Sequence, residues 1–342
     1  MGSIESLIGK FKRAARISFP LPFLYLRYCV YILSGRKICA KSIHEFSQLL
    51  VFSAYFHRLP GMTTDTERAY FQWYAQHIYV GTGALVDLGC WLGSTTISLA
   101  KGLAKNKIVA ASSGKIHAYD EFIWRDYMQS GVKGSPLQGK LNVGNDFVNE
   151  FYLRTTTWKD QIVVHQGDLS QMKWNGGAIE FLLIDAMKSW SLTNNIIRAF
   201  FPSLKAGESF ILHQDFAHWF TPWIHLSHFR LCEFFEYSYE VPRSGSVVFK
   251  LIKPIPFELM NQSLSFSSFT RDEVDAAFNY SFSLVSREKH PNIAAAKVMV
   301  FLHIGELGLA QQELELFRTA GLSFNSDLSI VEKRIRSQNS VN

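Results

Sequence analysis

The chain contains seven short apolar runs, each of strand length, between residues 83 and 254. Amphipathic segments long enough for crossover helices separate the first five, and the last two lie close together, as in a hairpin. The runs cover residues 83–88, 115–119, 161–166, 179–184, 209–212, 235–241 and 246–252. This pattern predicts an α/β domain with a mostly parallel seven-stranded sheet and helices on both of its faces.

Helical patterns flank the predicted sheet. Residues 42–79 have a helical pattern, and its last part, over residues 64–79, is amphipathic and leads into the first strand. After Pro254 and Pro256 the sequence predicts four more helices, over residues 270–285, 291–305, 309–320 and 327–336. Thr270 and Glu273 have the spacing of a capping box. The chain therefore divides into a basic helical N-terminal region (1–79), the α/β domain (80–255) and a small helical C-terminal appendage (256–342).

The composition indicates a globular protein with a large core. Hydrophobic residues make up 47% of the 342 residues. The four cysteines form no Cys-x-x-Cys pair, so neither a disulfide framework nor a zinc site is expected; they are Cys29, Cys39, Cys90 and Cys232. This usage favours a reducing compartment, and we expect the protein in the cytoplasm.

Positive charge is concentrated at the N-terminus. Residues 1–41 hold eight lysines and arginines against Glu5, whereas the whole chain has a net charge of +6. The remainder lacks the basic face of a nucleic-acid-binding domain, so no nucleic-acid partner is expected. The apolar stretch over residues 17–34 is too interrupted to predict a membrane-spanning helix. Two interpretations stay open for it: peripheral contact with an anionic membrane surface, or a helical lid or oligomer contact, which includes a homodimer.

A glycine-containing turn follows the first predicted strand. Its sequence is Asp87-Leu88-Gly89-Cys90-Trp91-Leu92-Gly93-Ser94-Thr95, and a helix begins at Ser94. Such a turn lets a ligand approach the backbone, and the helix start offers free N–H groups. The acid at the strand end favours a ligand with a cationic or hydroxyl-rich end over a phosphate. The dinucleotide pattern Gly-x-Gly-x-x-Gly is absent, which counts against a nicotinamide-dependent dehydrogenase.

Polar or acidic residues close all of the first five predicted strands. They are Asp87, Asp120, Asp168, Asp185 and the pair Gln214-Asp215. Because ligands of open α/β sheets bind at the carboxyl ends of the strands, we expect these side chains to line one site. Each aspartate alone is also a common turn or helix-cap residue.

The pattern Asp-x-Gly-x-x-x-Gly resembles the first motif of the class I S-adenosylmethionine-dependent methyltransferases. That resemblance implies a Rossmann-like sheet and S-adenosylmethionine as the cofactor. It places Asp120 at the ribose hydroxyls and Asp168 at the adenine amino group. The amino-acid end of the cofactor would face Asp87 and the turn, and Asp185 would lie close to the cofactor. The turn residues concerned are Gly89, Cys90, Trp91, Gly93, Ser94 and Thr95.

The order of motifs from Asp120 to Trp223 resembles the macrocin-type sugar O-methyltransferases, a branch that uses a divalent metal. That resemblance implies metal ligands at Asp185, Gln214 and Asp215. Gln214 replaces an acid of the pattern, and Ala186 and Met187 stand where a further acid is usual. Because Mg²⁺ prefers carboxylate oxygens, the requirement for Mg²⁺ stays open.

Methyl transfer to a hydroxyl needs alignment and a group that removes the proton. The candidate bases near the end of the fifth strand are Asp215, His218 and His213. His225 and His228, three residues apart, have the spacing of a metal pair, but ordinary helix residues are the favoured interpretation. Trp190, Trp219 and Trp223 follow the fourth and fifth strands and either stack on an acceptor or belong to the core of a lid.

Together these features predict an S-adenosylmethionine-dependent O-methyltransferase. Its acceptor would be a hydroxyl of a sugar, glycoside or related metabolite, a small molecule or glycan of secondary-metabolite or polysaccharide biosynthesis. The alternative is a non-catalytic cofactor-binding module for regulation or assembly, docked at a membrane by the basic N-terminus. The altered residue Gln214 is its main support.

Overall fold

A computed structural model describes residues 61–109, 115–322 and 324–339 of the chain. Its centre is a seven-stranded sheet in the order β3-β2-β1-β4-β5-β7-β6, in which β7 is antiparallel to both of its neighbours. The strands are β1 (Ala84–Leu88), β2 (Ile116–Asp120), β3 (Ile162–Gln166), β4 (Ile179–Ile184), β5 (Phe210–His213), β6 (Phe235–Glu240) and β7 (Val247–Leu251). The predicted α/β sheet of mostly parallel strands is therefore confirmed, including the terminal hairpin.

Ten α-helices lie in the described part of the chain. They are α1 (Asp65–His77), α2 (Ser94–Leu103), α3 (Val148–Thr155), α4 (Trp190–Phe200), α5 (Pro222–Arg230), α6 (Phe257–Met260), α7 (Arg271–Leu284), α8 (His290–His303), α9 (Leu307–Thr319) and α10 (Ser326–Asn339). The capping box of Thr270 and Glu273 is present at the start of α7. Thr64 and Glu67 form a second capping box at the start of α1. These boxes fix two helix starts because each satisfies backbone N–H groups that a helix leaves unpaired.

Both faces of the sheet are buried, as expected for parallel strands. Side chains alternate between the faces, so neighbours on one strand enter different cores. Leu85 of β1 joins the cluster packed under α1 and α2, whereas Val86 joins the cluster under α4 and α5. In the first of these clusters Tyr74 stacks on Phe181 with ring centroids 4.2 Å apart.

The C-terminal helices pack onto α5 and extend the second core. Helix α8 is buried on all sides, with Ile293, Ala294, Ala295 and Ala296 fully inaccessible. Helix α7 packs on both α5 and α8, and α9 and α10 pack on α8 as well. The division at residue 255 stays a prediction, although one hydrophobic cluster joins the two sides of it.

The first sixty residues lie outside the described part of the chain. The predictions for Cys29, Cys39 and the apolar stretch over residues 17–34 fall there. Among the described residues no helix is both long and apolar enough to cross a membrane.

Candidate active site

The carboxylate of Asp87 lies at the end of β1, where it is fully buried. Thr95 and Thr96, in the first turn of α2, donate their hydroxyls to Asp87 Oδ2 at 2.7 and 2.6 Å. Asp87 Oδ1 has no hydrogen-bond partner among the described residues. Burial raises the pKa of Asp87 to about 7, because the charged form loses its hydration. A cation placed beside the unpartnered oxygen would favour the carboxylate form.

The turn between β1 and α2 is built from two left-handed glycines. Gly89 has φ 89°, and a Cβ on it would lie 2.8 Å from the carbonyl oxygen of Asp185. Gly93 has φ 83°, and a Cβ there would lie 3.1 Å from atoms of Phe151 and Thr155. Glycine is thus required by backbone conformation and by neighbouring protein atoms.

The backbone N–H groups of three turn residues are engaged inside the protein, whereas free N–H groups at the start of α2 stay a prediction. Gly89 and Cys90 both donate to the Tyr119 carbonyl, at 2.8 and 3.1 Å, and Gly93 donates to the Cys90 carbonyl at 2.8 Å. These bonds join the turn to β2. The side chain of Cys90 is buried, and burial raises the pKa of its thiol.

Trp91 and Ser94 also have internal contacts. Trp91 adopts φ 44°, is 7% exposed and packs against Trp124 with ring centroids 5.9 Å apart. The hydroxyl of Ser94 is 3.0 Å from that of Thr63, so it ties α2 to the segment before α1. Both residues stay predictions as cofactor contacts. In the structure they shape the turn.

The Asp120 carboxylate, at the end of β2, is held by two backbone N–H groups. Trp91 donates to its Oδ2 at 2.9 Å, and Phe122 donates to its Oδ1 at 2.7 Å. Burial raises the pKa of Asp120 to about 6 despite these two bonds. Each oxygen keeps a further lone pair, so the fixed carboxylate can still accept hydrogen bonds from two hydroxyls.

Asp168, after β3, is exposed and caps a turn. Its carboxylate accepts from the backbone N–H and the hydroxyl of Ser170, both at 2.8 Å. This is the turn-forming alternative considered for each aspartate. The role of Asp168 at adenine stays a prediction.

A lysine lies between the carboxylates at the ends of β4 and β5. Lys188 Nζ donates to Asp185 Oδ1 at 2.8 Å and contacts Asp215 Oδ2 as well. The side chains of Asp185 and Asp215 are 22% and 24% exposed, and that of Lys188 is 37% exposed. The three charges therefore form a partly solvated bridge across adjacent strand ends.

Gln214 lies beside this bridge in the chain. Its side chain is 6% exposed, and its Oε1 has no hydrogen-bond partner among residues that the structure describes. The backbone of Gln214 donates to the Ile184 carbonyl at 3.1 Å, which joins the ends of β5 and β4.

The expected set of metal ligands does not fit a divalent ion. Within residues 61–109, 115–322 and 324–339, no three His, Cys, Asp or Glu side chains are grouped to hold a metal. Asp185 and Asp215 are two carboxylates with an ammonium between them, and Gln214 supplies no charge. At Asp185 and Asp215, two of the three ligands that the resemblance implies for a divalent metal, the structure shows an internal ion pair with Lys188.

His213 lies in the core rather than in the site, which corrects its proposed role as a base. Its side chain is 2% exposed and packs against Phe216 and Phe249. Burial lowers the pKa of His213 to about 3, so it is a weak base near neutrality. His218 is half-buried, and its Nδ1 accepts from the Phe220 N–H at 3.3 Å. The pKa of His218 lies below its ordinary value. Burial is the largest cause; Asp327 raises the pKa, and Lys188 lowers it further.

His225 and His228 belong to the same buried cluster as His213. His225 Nδ1 is 2.9 Å from the hydroxyl of Ser281, and the His228 ring is 3.9 Å from that of Phe249. Burial lowers the pKa of His225 to about 3 and that of His228 well below its ordinary value. The structure supports the interpretation of both as ordinary helix residues.

The histidine cluster predicts loss of stability in acid. In the unfolded chain these histidines have a pKa near 6.5 and take up protons below that pH, whereas the buried histidines of the folded protein stay neutral. The free energy of unfolding therefore falls from pH 6.5 towards pH 3. At pH 5 each such histidine costs about 2 kcal/mol. Three buried carboxylates with raised pKa values, Glu67, Asp87 and Asp120, act in the opposite direction and offset part of this loss. We expect the thermal unfolding midpoint to be lower at pH 5 than at pH 8.

The matched variant for this prediction is His213→Leu. The Nδ1 of His213 has no partner among the described residues, so leucine sacrifices no known hydrogen bond there. The difference between the midpoints at pH 8 and pH 5 should shrink in the variant. Equal midpoints at both pH values in the unaltered protein would contradict it.

The three tryptophans after β4 and β5 pack with the C-terminal helices. Trp223 is 4% exposed, Trp190 stacks on Phe269, and Arg334 lies 4.6 Å from the Trp219 ring centroid. These contacts support the interpretation as core of the covering helices over stacking on an acceptor.

Two participants were missed from the sequence. Thr96 lies in the first turn of the helix after the glycine turn, and its hydroxyl donates to Asp87. For Lys188 the sequence signal is a lone cation three residues after the strand-ending Asp185, with which it pairs.

The strand order of the sheet and the glycine turn after β1 define a Rossmann-like α/β fold, as predicted. Solved structures similar to the chain are methyltransferases. The calicheamicin methyltransferase CalS11 is 13% identical over 72% of this chain and 91% of its own, with a TM-score of 0.41. The apo form of CalS11, described as a TDP-rhamnose 3'-O-methyltransferase, is 10% identical over 68% of this chain and 95% of its own, with a TM-score of 0.40. A methyltransferase from Geobacter sulfurreducens is 13% identical over 66% of this chain and 96% of its own, with a TM-score of 0.35.

These likenesses are distant, so the fold assignment rests on the strand order of the sheet itself. No protein-family model matches the sequence, and no curated relative was found.

Proposed function

We propose that the protein is an S-adenosylmethionine-dependent O-methyltransferase. The observation that carries the proposal is the convergence of Asp87, Asp120 and Asp185 at one edge of the sheet, next to the glycine turn. They lie at the carboxyl ends of the adjacent parallel strands β2, β1 and β4, and a Cβ on Gly89 would lie 2.8 Å from the backbone of Asp185. A ligand with a cationic end and two vicinal hydroxyls would satisfy this set, and S-adenosylmethionine has both.

The residues present fit this cofactor. Asp87 offers the unpartnered buried oxygen to its ammonium group. Asp120, fixed by two backbone N–H groups, offers acceptors to the ribose hydroxyls. When bound, S-adenosylmethionine would supply a methyl group on a sulfonium, and an acceptor oxygen attacking that carbon in line would displace the thioether.

On the acceptor side we assign the base to Asp215. As the new O–CH₃ bond forms and the C–S bond breaks, the acceptor hydroxyl loses its proton to the carboxylate. Lys188 contacts Oδ2 of Asp215, and no hydrogen bond within the described residues reaches Oδ1. His218, neutral at pH 7 because of its lowered pKa, is the second candidate base.

The acceptor class proposed is a hydroxyl of a sugar, glycoside or related metabolite. Support comes from the order of motifs shared with the macrocin-type enzymes, which extends from Asp120 to the segment after Asp215. A screen of nucleotide sugars, glycosides and phenols with the labelled methyl donor tests this class directly. The alternative, a non-catalytic cofactor-binding module, predicts binding of the cofactor without turnover of any of them.

Calorimetric titration with S-adenosylhomocysteine tests the cofactor assignment. We expect micromolar binding at pH 8 that weakens by about tenfold at pH 5.5, because Asp87 and Asp120 have pKa values of about 7 and about 6 and lose charge over this range. Asp87→Asn should bind more weakly at pH 8 and lose most of the pH dependence. NAD serves as the control ligand and should not bind.

No binding of S-adenosylhomocysteine at either pH would overturn the proposal. Binding of NAD instead of S-adenosylhomocysteine would indicate a nicotinamide-dependent dehydrogenase, although the chain lacks the glycine pattern of that class.

A further inference from the structure

Lys188 is held in a defined place at the end of β4. The segment from Asp185 to Ser189 turns sharply, and the Lys188 backbone N–H donates to the Ala186 carbonyl at 2.8 Å. The indole N–H of Trp223 donates to the Met187 carbonyl, which ties the turn to α5. Ser189 then caps α4 by accepting from the Leu192 N–H at 3.2 Å. These contacts fix the base of the lysine on both sides.

The ammonium therefore lies between two carboxylates from adjacent strands. Asp185 follows β4 and Asp215 follows β5, and without a cation their charges would repel each other across the strand ends. Lys188 neutralises part of this charge from within the chain. A divalent ion bound to the same two oxygens would need the position that Nζ takes.

We propose that the Lys188 ammonium takes the place of a divalent cation between Asp185 and Asp215, which makes the site independent of metal. Lys188 is thus a positioning residue that holds Asp215 at the acceptor side. This inference deepens the proposed function, but the existence of the internal cation can be tested without methyl transfer.

The test uses the full chain and Mn²⁺ as the probe, followed by electron paramagnetic resonance and calorimetry. The unaltered protein should bind no Mn²⁺ at this site. Lys188→Ala removes the ammonium and leaves room between the carboxylates, so it should gain one site with a Kd on the order of 10⁻⁴–10⁻³ M, the range of weak cation sites. The gain should vanish in Lys188→Ala/Asp185→Asn, which lacks one of the two charges.

Two matched variants separate positioning from folding. Lys188→Met fills the same space without charge and should gain no Mn²⁺ site, whereas Lys188→Arg keeps the cation and should retain most turnover. Turnover of the unaltered protein should be unchanged by EDTA. Turnover of Lys188→Ala should fall by about tenfold or more and rise again with Mg²⁺, which a merely structural lysine would not produce.

Two results would overturn the inference. One is Mn²⁺ binding to the unaltered protein that disappears in Asp185→Asn, because the ammonium would then yield to metal. The other is a folded Lys188→Ala protein that binds no Mn²⁺, because the two carboxylates would then not form a cation site. Failure of S-adenosylhomocysteine binding would overturn the proposed function but leave the Mn²⁺ result standing.

Discussion

Replacing Asp215 with asparagine should lower methyl transfer by at least about 10²-fold, the usual contribution of a positioned acid or base. Asparagine keeps an oxygen that can accept from Lys188, so the bridge to β4 survives the change. It cannot take a proton from the acceptor hydroxyl. Because we place Asp215 on the acceptor side, the affinity for S-adenosylhomocysteine should stay within about threefold of its original value.

The control for Asp215 is His218→Asn, measured with the same acceptor over a range of pH. Asparagine can still accept from the Phe220 N–H that His218 Nδ1 accepts from. If Asp215 is the base, this variant should retain turnover within about tenfold. Normal turnover by Asp215→Asn together with loss in His218→Asn would reverse the two roles.

The sheet could be predicted because each strand corresponds to a short apolar run that is recognisable in the local sequence. Runs such as the one ending at Ile184 are apolar on both faces, since helices cover both sides of a parallel sheet. The acids at these strand ends could be predicted from the same runs, because Asp87 and Asp120 are among the last residues of β1 and β2, and Asp185 directly follows β4. The strand ends and the residues after them can thus be predicted from the sequence alone.

The contacts of the site could not be predicted in the same way. Whether an N–H of the glycine turn faces a ligand or the Tyr119 carbonyl depends on how β1 and β2 pair, which is a long-range property. His213 looked like a base because it precedes Gln214 and Asp215. The alternation of side chains sends it into the core beside Phe249 instead.

Lys188 shows a further limit. The resemblance to the macrocin-type enzymes implies a metal between the ends of β4 and β5, where the structure has the Lys188 ammonium. A lysine three residues from Asp185 reaches the same oxygens that a metal would use. A basic residue close in the chain to the proposed ligands is therefore a sequence signal against a metal site.

Replacing Asp120 with alanine should weaken the binding of S-adenosylhomocysteine by about 10²-fold or more, because it would remove the two charge-assisted hydrogen bonds that we propose to the ribose, each worth about 1.5–3 kcal/mol. The variant also leaves the N–H groups of Trp91 and Phe122 without their acceptor. Asp120→Asn separates the two effects, since its amide oxygen can still serve one of these N–H groups. We expect it to lose affinity while its unfolding midpoint stays closer to that of the unaltered protein.

The matched control is Glu121→Gln, one residue away. Glu121 is exposed and pairs with Arg125, so it lies on the solvent side of the same segment. Replacing Glu121 with glutamine should leave the affinity for S-adenosylhomocysteine unchanged, because solvent screens the charges of an exposed ion pair. Equal affinity losses in Glu121→Gln and Asp120→Asn would point to a general electrostatic effect and remove Asp120 from the ribose. A loss confined to Asp120 variants, at constant fold stability, assigns that carboxylate to the cofactor.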